Sequence, residues 1–95
     1  MNVRALTNDG NTLYLLNKQY VFVYENYKFH VVNIDFESIK KELNQTADIE
    51  LYEIELDKTN KKLYISSIDG LIIYDLNTKT TTLYFCCCFN VILYV

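Results

Sequence analysis

Hydrophobic and polar residues alternate along most of the chain in short runs, a pattern typical of β-strands separated by turns. The Asp-Gly dipeptides Asp9-Gly10 and Asp69-Gly70 stand between such runs, where they favour tight hairpins. The chain is therefore predicted to be almost entirely β. Eight strands are predicted, at residues 3–6, 12–16, 20–25, 28–34, 49–56, 61–66, 71–76 and 80–85.

The third and seventh predicted strands are apolar at nearly every position, as expected of strands covered on both faces. The fifth strand instead alternates between apolar and acidic residues from position 52 onwards. Alternate residues of a strand point to opposite faces of a sheet. This pattern predicts an apolar face with Tyr52, Ile54 and Leu56, and a solvated face with Glu53, Glu55 and Asp57.

One segment, residues 35–44, departs from the strand pattern. Phe36, Ile39 and Leu43 recur at helical spacing, and charged residues occupy the other faces. Asp35 is a favourable residue to cap the start of a helix, and Asn44 is favourable at its end. We predict a helix of about two to three turns in this segment.

The chain nearly repeats itself at an offset of 50 residues. A fixed period is the signature of stacked supersecondary units that cannot each bury their own apolar face. Equal spacing preserves side-chain parity, so the two halves are predicted to superpose with corresponding side chains pointing the same way. The identical pairs include Leu6/Leu56, Leu13/Leu63, Tyr14/Tyr64 and Tyr24/Tyr74.

Composition narrows the classes of protein that fit. The chain has 95 residues, of which 51% are hydrophobic, so it can build a small core and is not of disordered type. Its net charge of −3 and its scattered cations argue against a nucleic-acid partner, which requires a concentrated basic surface. The N-terminal residues lack the apolar stretch of a signal peptide, so a cytoplasmic or nuclear location is expected.

Residues 66–79, Ser-Ser-Ile-Asp-Gly-Leu-Ile-Ile-Tyr-Asp-Leu-Asn-Thr-Lys, resemble the end of a blade in a WD-repeat β-propeller. In such a blade an Asp-Gly turn precedes a hydrophobic strand that ends in an aromatic–acidic pair. Tyr74-Asp75 matches that pair, and Tyr24-Glu25 matches it more weakly in the first half. The resemblance covers residues 61–82 well and residues 11–30 poorly, and neither half opens with the Gly-His pair of the strict family.

The resemblance implies two blade-like units and a non-catalytic role in binding an unknown protein partner. The expected organisation is a first unit at residues 1–35, a helical insertion at 36–46, a second unit at 47–86, and an apolar C-terminal strand or tail at 87–95. Closed propellers typically have four to eight blades. Two units would therefore be a fragment of a longer propeller, or would self-associate, or would close into one small sandwich.

No catalytic or metal-binding residue is predicted, and no cofactor is expected. His30, the single histidine, alternates with apolar residues in a predicted strand, and no nucleophile-elbow sequence surrounds Ser38, Ser66 or Ser67. The carboxylates of Glu53, Glu55 and Asp57 share one strand face. Their spacing of about 7 Å is too wide for one tight cation site without other ligands.

Three adjacent cysteines, Cys86, Cys87 and Cys88, leave several interpretations open. They could be small apolar residues of a buried strand, or acylation sites beside an apolar tail. A metal site fits less well, because contiguous cysteines lack the spacing that lets several thiolates reach one ion. Residues 83–95 would span about 20 Å as a helix, which is too short to cross a bilayer alone. The alternative function is thus a small membrane-associated protein anchored by its cysteine-rich tail.

Overall fold

The computed structural model describes residues 2–84, which form two four-stranded antiparallel sheets and one helix. This confirms the predicted all-β class, with two similar four-stranded units and a short helix between them. In each sheet the strands lie side by side in chain order. The elements are β1 (Ala5–Asp9), β2 (Thr12–Leu16), β3 (Val21–Glu25), β4 (Lys28–Val31), α1 (Phe36–Leu43), β5 (Leu51–Asp57), β6 (Lys62–Ser67), β7 (Gly70–Asp75) and β8 (Thr80–Tyr84).

The turns at one end of the first sheet have two residues each, and the first of them is shorter than the sequence suggests. Only Gly10 and Asn11 separate β1 from β2, so β1 runs on to Asp9 through residues predicted to be a turn. Gly10 has a φ of +60°, which glycine adopts without strain. Asn26 and Tyr27, which join β3 to β4, also both have positive φ, as in a type I′ hairpin.

The strand β4 ends at Val31, earlier than the predicted position 34. The backbone N–H of Val32 still donates to the Val21 carbonyl oxygen over 2.8 Å, which is the last bond from this strand to β3. The N–H of Ile34 then donates to the Val32 carbonyl oxygen over 2.9 Å. This tight local bond turns the chain out of the sheet and towards α1.

The corresponding turns of the second sheet have four residues each and are held by aspartates. The Asp57 Oδ1 atom accepts hydrogen bonds from the backbone N–H groups of Thr59 and Asn60, both at 3.1 Å. The Asp75 Oδ1 atom accepts the same pair of bonds from Asn77 and Thr78, at 2.9 and 3.1 Å. Each turn closes on a lysine in the left-handed region, at positions 61 and 79.

A β-bulge in β5 changes which of its side chains face inwards. Leu51 pairs with Ser67 and Glu53 pairs with Ser66, so Tyr52 is an extra residue between them. Leu51 is fully buried as a result, and Tyr52 is 38% exposed. The prediction that Tyr52 shares the inner face with Ile54 and Leu56 is wrong, because the bulge inverts the alternation at that point.

The helix α1 begins and ends where its capping residues predict. The Asp35 carboxylate accepts hydrogen bonds from the Ser38 backbone N–H and hydroxyl, at 3.1 and 2.8 Å. Asn44 follows the last turn with a φ of +56° and a ψ of +48°, and its N–H bonds back to the Lys41 carbonyl oxygen. Ile39 is the buried residue of the helix, with Phe36 and Leu43 packed beside it.

The strand pairings confirm the internal repeat, with one correction to its alignment. Leu13 pairs with Tyr24 in the first sheet, and Leu63 pairs with Tyr74 in the second, so β2 and β3 match β6 and β7 at the offset of 50. At the edges the offset changes, because each connection beside them is two residues longer in the second sheet. Leu6 pairs with Leu15 and Ile54 with Ile65, so Leu6 corresponds to Ile54 and not to Leu56.

The two sheets pack on one core through opposite faces. The first sheet contributes its inner face, formed mainly by Tyr14, Leu16, Val21 and Val23. The second sheet contributes the face that carries Leu63, Ile65, Ile72 and Tyr74. By register these last residues correspond to Leu13, Leu15, Phe22 and Tyr24, which lie on the other side of the first sheet. The units are thus stacked in the same orientation, one behind the other.

The sheets approach most closely at one edge, where β1 and β2 lie near β5. Arg4 joins them there, since its Nη1 atom donates to the Glu50 carboxylate and to the Leu51 carbonyl oxygen, both at 2.8 Å. Towards the other edge, α1 contributes its apolar side chains to the same core. The Asp35 N–H donates to the Thr81 hydroxyl oxygen on β8 over 3.0 Å, which fixes the start of the helix.

Candidate interaction surface

The outer face of the first sheet is apolar and is not covered by any described part of the chain. Cross-strand pairing places its residues in two rows, one from Leu6 to Val31 and one from Asn8 to Phe29. Asn8 supplies the one polar side chain in these rows. The apolar members of these rows are Leu6, Leu13, Leu15, Phe22, Tyr24, Phe29 and Val31.

The side chains on this outer face shelter one another but remain open to solvent at the edges. Leu15, near the middle, is only 5% exposed, whereas Leu6 and Phe29, on the two edge strands, are 59% and 57% exposed. The Tyr24 and Phe29 rings lie with their centroids 4.7 Å apart. Contiguous exposed apolar surface of this kind marks interaction sites in soluble proteins.

The outer face of the second sheet has a different character. Glu53 and Glu55 stand exposed on β5, and Thr82 and Tyr84 stand exposed on β8. Tyr64, Leu71 and Ile73 are half-buried between these two edge strands. The exposed carboxylates of Glu53 and Glu55 make this face more polar than the outer face of the first sheet. The two ends of the stack are therefore unequal.

The strand predicted to be covered on both faces in the first half is covered on one face only within the described residues. Val21 on the inner side of β3 is fully buried, but Phe22 and Tyr24 on the outer side are only half-buried. In β7 the coverage is reversed, because Ile72 and Tyr74 are buried while Leu71 and Ile73 face outwards. Sequence pattern alone misses this difference, since both strands are apolar throughout.

The histidine and serines that a nucleophilic relay would need lie on three separate elements. His30 is exposed on the edge strand β4, Ser38 lies in α1, and Ser66 and Ser67 lie in β6. Two of the hydroxyls have local structural roles. The Ser38 Oγ donates to the Asp35 carboxylate over 2.8 Å, and the Ser67 Oγ donates to the Gly70 carbonyl oxygen over 2.7 Å.

The three carboxylates of β5 do share a face of the sheet, as their spacing predicts. Asp57 is engaged in its own turn, where the side-chain bond from Asn60 is the main cause of a lowered pKa. Glu53 and Glu55 are exposed to solvent. Within residues 2–84, no group of three or more His, Cys, Asp or Glu side chains is arranged to hold a metal ion.

A shallow depression of about 450 Å³ lies beside α1. Lys40, on the wall of this depression, forms an ion pair with the Asp48 carboxylate at 3.1 Å. The hydrogen bond to Asp48 raises the pKa of Lys40. The depression is open and its walls are mostly flexible polar side chains, so it lacks the apolar enclosure of a small-molecule site. Its lining residues are Glu37, Ser38, Lys40, Lys41, Gln45 and Thr46.

The predicted C-terminal strand or tail at 87–95 lies outside the described residues, as do Cys86, Cys87 and Cys88. Among residues 2–84, no helix is long and apolar enough to cross a membrane. Comparison with family models, with curated proteins and with solved structures finds no match for this chain.

Proposed function

We propose that this chain is a non-catalytic protein–protein interaction module, and that the outer face of the first sheet is its binding surface. The observation that carries the proposal is the size and continuity of this apolar face. Seven apolar side chains lie side by side on four paired strands, with a single polar residue among them. Leaving such a face in water is costly, at about 25 cal/mol for each Å² of apolar surface.

We further propose that the two units are related to neighbouring blades of a WD-type propeller. Propeller blades stack with the front of one sheet against the back of the next, and the two sheets of this chain are stacked in that relationship. The pair Tyr74-Asp75 supports the resemblance through its geometry. Tyr74 fills the core between the units, while the Asp75 carboxylate holds the turn that follows.

The module is expected to work without a cofactor and without catalysis, at a cytoplasmic or nuclear location. Its strongest chemical feature is apolar area, and the aspartates Asp35, Asp57 and Asp75 serve a helix cap and two turns. The alternative of a membrane-associated protein depends on Cys86, Cys87 and Cys88, which lie outside the described residues. It therefore stays a prediction from the sequence.

A photo-crosslinking phenylalanine derivative at Phe29 tests the proposed surface in cells that produce the chain. Tyr84 provides a matched control position, because it is also an aromatic residue on an edge strand and is 55% exposed, against 57% for Phe29. The two positions lie on the outer faces of different sheets. Phe29 lies on the outer face of the first sheet, and Tyr84 lies on the outer face of the second.

We expect irradiation to give discrete protein adducts from position 29 and few from position 84. The adduct from position 29 should disappear when Val31, its neighbour on the same face, is changed to Lys. Equal yields of adducts from both positions would contradict the proposed surface, because they would indicate nonspecific crosslinking. Absence of any adduct from position 29 would also contradict it.

A further inference from the structure

The occupant of the outer face of the first sheet must itself be apolar and nearly flat. The face carries no charged side chain in its two rows, so it offers nothing to attract an acidic or a basic partner. It also carries no deep pocket for an anchoring side chain, since Leu15 and Phe22 fill its centre. A second β-sheet with an apolar face meets these conditions, because sheets pack face to face at about 10 Å.

This chain has two exposed sheet faces, and they do not fit each other. Within one chain, the inner face of the first sheet covers the second sheet, and Ala5 and Thr7 are the β1 residues on that inner face. Their counterparts on the outer face of the second sheet are Glu53 and Glu55, by the register of β1 and β5. Stacking a second copy in the same manner would press these two carboxylates against Leu6 of that copy. Burying unpaired carboxylates in this way is strongly unfavourable.

The outer face of the first sheet can instead pack against the same face of another copy. Two identical uncharged apolar faces are complementary without any buried charge, and a two-fold axis in the plane between them satisfies both at once. Four strands about 4.8 Å apart, with four residues in β4 and five in each of the others, give a face of roughly 300 Å² in projection. The protruding side chains increase the accessible area, which brings two such faces near the ~1,000 Å² that a specific interface needs.

We infer that the chain forms a two-fold symmetric homodimer through the outer faces of its first sheets, with Phe22 and Tyr24 near the axis. This inference rests on the proposed function, because it names the partner of the same surface. It deepens that function from binding an unknown protein to binding a second copy. The exposed carboxylates of Glu53 and Glu55 on the outer face of the second sheet oppose further stacking, so the assembly ends at two chains and does not grow into a filament.

Sedimentation velocity and equilibrium on the full chain test the dimer. We expect a concentration-dependent species of twice the chain mass of 11.2 kDa and no larger assemblies. The double variant Phe29→Lys with Val31→Lys places four lysines in each two-fold interface. It should raise the dimer dissociation constant at least 100-fold, while circular dichroism shows that it remains folded.

A matched control is the double variant Thr82→Lys with Tyr84→Lys. It places two lysines at alternate positions of an edge strand, on the outer face of the second sheet. Its dissociation constant should equal that of the unchanged chain. If both double variants weaken the dimer equally, or if the unchanged chain is a monomer at every concentration, the inference is overturned.

The crosslinker at Phe29 identifies the surface that is contacted. Adducts from position 29 to β3 or β4 of a second copy are the expected result. Adducts to β5 or β8 of a second copy would indicate head-to-tail stacking, and adducts within one chain to residues 85–95 would indicate that the tail covers the face. Either result overturns the symmetric dimer. Adducts only to a different protein, with a monomeric purified chain, would overturn the dimer and leave the proposed function standing.

Discussion

Tyr24 and Tyr74 occupy the same position in their two sheets, yet only Tyr74 lies in the core. Each pairs across its hairpin with the corresponding leucine, Leu13 or Leu63. Tyr74 is 5% exposed because the first sheet packs over it, and burial raises the pKa of its hydroxyl. Tyr24 is half-buried beside Phe29 on the outer face. The comparison of the two tyrosines shows how much burial the neighbouring unit adds at this position.

Changing each tyrosine to alanine should therefore have unequal effects on the free energy of unfolding. Tyr74→Ala leaves a cavity between the sheets and should cost about 3–5 kcal/mol, as for other large aromatic side chains in cores. Tyr24→Ala loses partial burial and one aromatic contact, so about 1–2 kcal/mol is expected. Urea unfolding, at protein concentrations below the dimer dissociation constant, measures both values. Equal losses would contradict the view that the outer face is uncovered in the single chain.

A similar contrast holds across the bulge in β5. Leu51 is fully buried, and its change to alanine should cost about 2–5 kcal/mol. Tyr52, the next residue, is partly exposed beneath the Arg4 guanidinium group, which lies 5.5 Å from the ring centre. Its change to alanine should cost about 1 kcal/mol or less. A larger loss for Tyr52→Ala than for Leu51→Ala would show that the simple alternation of the sequence, without a bulge, is correct.

The sequence predicts the strands and the helix because each depends on local features. The helix ends at residues with capping side chains, Asp35 and Asn44, and the hairpins follow the alternation of apolar residues. The bulge at Tyr52 depends instead on pairing with β6, which lies ten or more residues further along the chain. The coverage of each sheet face also depends on tertiary packing. Two strands of the same apolar composition, β3 and β7, therefore differ in burial in a way that no local pattern encodes.

The turn between β3 and β4 carries a conformational cost at Tyr27. Asn26 and Tyr27 have φ values of +52° and +62°, and a side chain such as tyrosine adopts this region at a cost of about 1–2 kcal/mol. Tyr27 is 93% exposed, so its ring contributes little burial in return. Tyr27→Gly gives the Asn-Gly pair that type I′ turns prefer, and it should stabilise the chain by about 1 kcal/mol. Tyr27→Ala is the matched control, since it removes the ring and keeps the strain. Equal melting temperatures for the two variants would contradict this explanation.

The stability of the chain should fall in acid because three aspartates accept hydrogen bonds in the folded state. Ser38 lowers the pKa of Asp35, Asn60 lowers that of Asp57, and the Thr78 and Asn77 backbone N–H groups lower that of Asp75. A carboxylate with a lowered pKa stabilises the folded chain above its ordinary pKa, here 3.8, and this contribution disappears as the pH falls through the lower folded value.

The double variant Asp57→Asn with Asp75→Asn separates this titration from the geometry of the turns. An asparagine oxygen can accept the same backbone hydrogen bonds, but it does not ionise. The variant should be somewhat less stable than the unchanged chain near pH 6, because bonds to a charged acceptor are stronger. It should lose less stability between pH 6 and pH 3, so that the two urea-unfolding curves converge in acid. If the variant keeps the full pH dependence of the unchanged chain, these two turns do not contribute to its acid sensitivity.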